Sequence, residues 1–104
     1  MKPFAILALA GALLVPGLVL AEDDGGDFLN LMRQPKARAL AQRYIDNAAD
    51  KWDGSVFCTP EADRAEARFQ AVRRYLEEHQ DQLWRPQRYL IIQGLRSAFP
   101  CGRT

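Results

Sequence analysis

The sequence is poor in the residues from which catalytic and metal sites are built. Of its 104 residues one is histidine, His79, and two are cysteine, Cys58 and Cys101. A nucleophilic triad needs a serine, threonine or cysteine beside a base that a third group orients. The single imidazole falls in the turn after a helical stretch, which offers no such arrangement. Two thiols and one imidazole, without compact ligand spacing, leave a zinc site incomplete. Carboxylate pairs such as Asp46 and Asp50 sit four apart on an exposed helix face, with no apolar pocket to separate their pKa values. Glycine-rich phosphate loops, internal repeats and low-complexity runs are missing as well. Charge of one sign is also lacking. Without Lys2 the chain carries 13 basic and 13 acidic residues, whereas a general nucleic-acid binder needs a basic excess to neutralise phosphates. No catalytic, cofactor-binding or metal-binding residue is assigned.

The N-terminal residues read as an export signal. Lys2 is a short positive region, Phe4 to Leu14 is apolar, Pro16 and Gly17 break the run, and Val19-Leu20-Ala21 suits a signal peptidase. Cleavage after Ala21 makes 1–21 a signal peptide and the mature protein an exported one, with no membrane association once it is removed. The alternative, a retained anchor, would have to span a bilayer of roughly 30 Å with about 17 interrupted apolar residues. An exported chain meets an oxidising compartment, so Cys58 and Cys101 are expected to pair. Charge is unevenly spread. Acids outnumber bases nine to five from Glu22 to Asp63, and bases outnumber acids eight to four from Arg64 onward, which either solvates opposite helix faces or steers a partner.

Residues 22–34 read as an acidic, glycine-rich mobile leader followed by a short helix, Phe28 to Arg33, capped by Asp27. Residues 35–104 form the main domain. A helix is predicted over Lys36 to Trp52, with Ala37, Leu40, Ala41, Tyr44, Ile45, Ala48 and Trp52 on one stripe. Asp53-Gly54-Ser55 stops it. The next helix enters at Thr59-Pro60 or at Asp63, buries Ala62, Ala65, Phe69, Val72 and Leu76, and turns Arg64, Arg68, Arg73, Arg74, Glu77 and Glu78 outward. Pro86 opens a last helix to about Ala98 that buries Leu90, Ile91, Leu95, Ala98 and Phe99. Gly94 in its middle suggests close approach by another helix or by a ligand. The fold class is all-α, a small bundle of about four helices closed by one disulfide.

Several short pieces, in order and spacing, carry a family resemblance. They are Tyr44-Ile45, Ala49-Asp50, Gly54-Ser55-Val56-Phe57-Cys58 with Pro60, the run Val72 to His79, and Leu95 with Ala98-Phe99-Pro100-Cys101. Over about Leu40 to Cys101 the chain resembles the Rap/Tai-type immunity proteins of bacterial type VI secretion. The resemblance implies a periplasmic helical protein, commonly a homodimer, that binds and blocks a peptidoglycan-cleaving amidase effector. It also implies the Cys58–Cys101 pairing that the compartment argument reached separately.

Three functions are therefore weighed. The first is an inhibitory binding protein whose cognate partner is an amidase effector. Its candidate contact residues are Lys51, Trp52, Asp53, Gly54, Ser55 and Phe57, a connection held at Cys58 that either fills an enzyme cleft or merely packs. The second is a periplasmic stress chaperone, which would expose apolar surface in acid. The third is an enzyme or small-ligand carrier with a pocket around Gly94.

Overall fold

The computed structural model describes residues 23–102, and the expected signal peptide, 1–21, lies outside them. Four α-helices make up the described chain: α1, Gly25–Met32; α2, Arg38–Ala49; α3, Arg64–Glu78; and α4, Gln87–Ala98. Short 3₁₀ turns at Pro35–Ala37 and Gln80–Gln82 lead into α2 and follow α3. The fold is all-α, closed by a disulfide between Cys58 and Cys101 across a sequence separation of 43.

The core follows the apolar periodicity. Ala41, Ile45 and Ala49 of α2, Phe69, Val72 and Leu76 of α3, and Leu90, Ile91 and Leu95 of α4 are all buried, at the three- and four-residue spacings that stack side chains on one helix face. α3 and α4 form the closest pair, and Gly94 is the reason. A β-carbon there would lie 3.1 Å from the Tyr75 Cβ and 3.4 Å from the Val72 Cα, tighter than helices normally pack. α3 therefore fills the space beside Gly94, and the ligand pocket considered at that position is replaced by a helix contact.

The acidic stretch is part of the fold from Asp23 onward rather than a mobile leader. Asp24, not Asp27, is the N-cap, and its carboxylate accepts a hydrogen bond from the Asp27 backbone N–H at 2.9 Å. Gly25 N–H donates to the Arg85 carbonyl and Gly26 N–H to the Leu83 carbonyl, both at 3.0 Å, and Gln87 N–H donates to the Asp23 carbonyl at 2.9 Å. These bonds dock the start of α1 on the start of α4. A side chain at Gly25 would collide with the Leu90 side chain and press on the Leu83 backbone carbonyl, 3.2 Å away, so glycine here provides proximity. Phe28, Leu29 and Met32 then enter the core.

Other boundaries shift for similar reasons. α2 ends at Ala49 rather than Trp52, and the backbone continues in turns because Asp53 is drawn toward α3. On α2 the apolar stripe is narrower than its composition suggests, leaving Leu40 and Tyr44 exposed, as is Trp52 in the turn that follows. α3 starts after Asp63, which adopts a left-handed φ of 51° and makes no side-chain cap. Ala62 and Ala65 consequently lie outside the core, as does Ala98 near the end of α4. The largest departure concerns Arg68, expected to face solvent and found among the most buried side chains.

Candidate partner-binding site

The connection between α2 and α3 is built around that arginine. Arg68 is 1% exposed. Its Nη1 donates to Asp46 Oδ1 at 2.7 Å and to Asp50 Oδ1 at 3.0 Å, its Nη2 to Asp53 Oδ2 at 2.6 Å, and its Nε to Thr59 Oγ1 at 3.5 Å. A guanidinium has five donors in a rigid fork, and here the fork binds the end of α2, the turn after it and the approach to α3. Asp53 is the central acceptor. Besides Arg68 it receives the Thr59 backbone N–H at 3.1 Å and Arg64 Nη1 at 3.2 Å.

Exposure separates the three acids. The Asp53 side chain is 12% exposed, against 39% for Asp46 and 71% for Asp50. Burial alone would push the Asp53 carboxyl up, but hydrogen bonds from Arg68 and Thr59 and the Arg68 charge outweigh it and hold the group below the ordinary carboxylate value. Burial would likewise lower Arg68, and its bonds to Asp53, Asp46 and Asp50 reverse that and raise it.

From this anchor the turn is shaped residue by residue. Gly54 takes φ 98°, a left-handed conformation that side chains disfavour, and its N–H donates to the Phe57 carbonyl. Ser55 N–H and Val56 N–H both donate to the Trp52 carbonyl, at 3.0 and 2.9 Å, and Ser55 Oγ adds a third bond to it at 3.0 Å. Phe57 is fully buried. Cys58 N–H donates to the Phe99 carbonyl at 2.8 Å beside the disulfide, tying the turn to the end of α4. Of the six candidate contact residues, Lys51, Trp52, Gly54 and Ser55 therefore lie at the surface. Asp53 and Phe57 face inward and hold the others in place.

Beside this turn runs an open groove of about 520 Å³. Trp52 and Val56 form one side, and Pro86, Arg88, Tyr89, Ile92 and Gln93 of the α4 region form the other. A second depression of about 420 Å³ continues past Arg88 between Tyr44, Ala48 and Lys51 and the α4 residues Gln87 and Ile91. The periodic pattern did not anticipate this surface, because it arises where two elements fail to close over one another. The sequence signal was the surplus of large apolar residues on α2 and α4 beyond what one core face can hold.

His79 stacks on the Tyr75 ring with centroids 3.9 Å apart, and its Nδ1 lies 2.8 Å from the Tyr75 carbonyl. A carbonyl only accepts, so Nδ1 carries the proton. Burial, with a smaller contribution from Tyr89, raises the Tyr75 phenol above its ordinary value. Among the described residues no cluster of three His, Cys, Asp or Glu is placed to hold a metal ion.

A sequence profile of the Rap1a immunity proteins matches residues 24–101, which span all four helices and both cysteines of the disulfide. The chain belongs to the Rap1a immunity protein family. No curated protein matches it. Membership gives the chain the general character of an immunity protein, one directed against a secreted effector. The profile begins at residue 24, the capping aspartate of α1, so the family domain includes the segment that composition alone reads as a leader.

Proposed function

We propose that this Rap1a-family protein works in the periplasm, after removal of residues 1–21, by binding a peptidoglycan-cleaving amidase delivered by type VI secretion and obstructing its cleft. The observation that carries this reading is the α2–α3 turn. Lys51, Trp52, Gly54 and Ser55 are presented outward while Arg68, Asp53 and the disulfide fix them from beneath. A turn already held in one shape loses little conformational entropy on binding, which favours tight, slowly dissociating contacts. Leu40 and Tyr44, one helical turn apart on α2 and both more than a third exposed, support a homodimer through that helix.

The experiment is inhibition of a type VI peptidoglycan amidase of the same organism by the purified, oxidised mature chain. Stoichiometric loss of peptidoglycan cleavage is expected, together with rescue of cells that carry the amidase in the periplasm. An amidase that remains fully active with excess protein refutes the reading. Light scattering at micromolar concentration tests the dimer, and a monomer mass that Leu40→Glu does not change would exclude it.

A further inference from the structure

The disulfide joins two segments that the helices hold only loosely. Among the described residues every buried apolar side chain lies on one of the four helices except Phe57, which precedes Cys58. The helices therefore close their core without either cysteine. Beyond Leu95 no described residue is fully buried. The tail after α4 meets the turn where Cys58 N–H donates to the Phe99 carbonyl at 2.8 Å and Cys101 bonds to Cys58, with Cys101 Sγ 4.0 Å from the Ser55 carbonyl oxygen. Val56 and Phe99, each two residues before a cysteine, are half-buried against the core. The turn itself is fastened in two ways. Its ends belong to the ionic cluster, since Asp53 and Thr59 both bond to Arg68. Between them, the N–H groups of Gly54, Ser55 and Val56 bond only within residues 52–57, and it is Cys58 that ties this stretch to the end of α4. Both cysteines are partly exposed, so a small thiol can reach the bond.

We infer that Cys58–Cys101 is a redox switch for the partner-binding turn. With the bond formed, residues 54–58 and the tail after α4 brace one another. With it broken, the four helices stay packed and Asp53 and Thr59 stay on Arg68, while residues 54–58 and 99–102 come loose together. A loosened turn must be ordered again on contact, and that lost entropy weakens binding. Closing the switch takes one hydrogen from each thiol and joins the two sulfurs; the two electrons and two protons pass to the disulfide of a thiol–disulfide oxidoreductase, which leaves as a dithiol. A reducing dithiol reverses the exchange. The consequence, which rests on the reading of the protein as an effector-binding inhibitor, is that the chain is silent while its thiols are reduced and becomes an inhibitor on reaching an oxidising compartment.

The test has two arms on the mature chain. In the first, backbone nitrogen relaxation is measured at pH 7 before and after full reduction with dithiothreitol. Order parameters of the amides of 54–58, Phe99 and Cys101 are expected to fall from about 0.85 to below about 0.6. Those of the four helices, Asp53 and Thr59 should hold, with the far-ultraviolet circular dichroism retained. In the second, a Cys58→Ser, Cys101→Ser double variant, open without any reductant, is titrated calorimetrically against a type VI peptidoglycan amidase of the same organism. It should bind at least about tenfold more weakly than the oxidised parent. Unchanged order parameters in 54–58 overturn the switch, and so does melting of the helices, which would make the disulfide a clamp on the whole fold. A double variant that binds as tightly as the oxidised parent also overturns it and leaves the proposed function standing. Failure of the oxidised parent to bind overturns the proposed function and the consequence drawn for inhibition, while the order parameters still decide whether the turn is released.

Discussion

Replacing Arg68 by methionine tests whether the ionic cluster holds the turn, because the substitution keeps most of the buried stem and removes the fork. The loss is not the sum of four hydrogen bonds. Asp46 and Asp50, at 39% and 71% exposure, regain water and should account for a few tenths of a kcal/mol each. Asp53, at 12%, does not regain it and keeps only Arg64 and the Thr59 N–H. Stranding a largely buried carboxylate costs several kcal/mol when no partner remains; with two partners left, the expected total is about 2–3 kcal/mol. On a domain whose whole stability is about 4–12 kcal/mol, this lowers the melting temperature by about 10–20 °C. Urea unfolding of the oxidised protein measures it. A double-mutant cycle sharpens the result: Arg68→Met with Asp53→Asn should couple by about 1–2 kcal/mol, and Arg68→Met with Asp50→Asn by less than about 0.5. A parent-like Arg68→Met protein, or an Asp50 coupling as large as that of Asp53, would refute the reasoning.

Two further outcomes follow from the same turn. Reducing Cys58–Cys101, which closes a loop of 43 residues, should lower the unfolding free energy by about 2–4 kcal/mol; an unchanged urea midpoint in the presence of a thiol reductant would show that the disulfide does not constrain the unfolded chain. The lowered Asp53 pKa gives a pH signature. The folded state binds fewer protons at this group than the unfolded state, so its contribution is complete above the unfolded value of about 4 and is lost as pH falls through the folded value. Unfolding free energies at pH 7, 4 and 3 should therefore fall less steeply for Asp53→Asn than for the parent, and parallel profiles would count against the assignment.

Periodicity made the core readable because it reports where apolar side chains recur. Ile45, Phe69, Val72, Leu76, Leu90, Ile91 and Leu95 lie where three-and-four spacing places them, and the mid-helix glycine on α4 marks the close contact with α3. The same criterion is blind to a polar residue captured by a different element. Arg68 stands next to Phe69 on the edge of the α3 stripe, so a rule that turns charge outward gives it to solvent.

A signal was nevertheless present in the other helix. Asp46 and Asp50 lie one turn apart at the end of α2 with Asp53 in the turn just beyond, and like charges so close repel one another unless a cation arrives from elsewhere. α3 carries two arginines one turn apart, Arg64 and Arg68, and both reach Asp53. Gly25 failed to be recognised for a related reason: lack of side chains reads as looseness, whereas here it lets the backbone lie against Leu83 and Leu90. In both cases the deciding energy belongs to a pair of elements, and neither element displays it alone. The partner surface follows from this. Once Arg68 has drawn Asp53 inward, Trp52 on its N-terminal side and Ser55 beyond Gly54 have no core position left to them, and the turn has to present them outward beside α4.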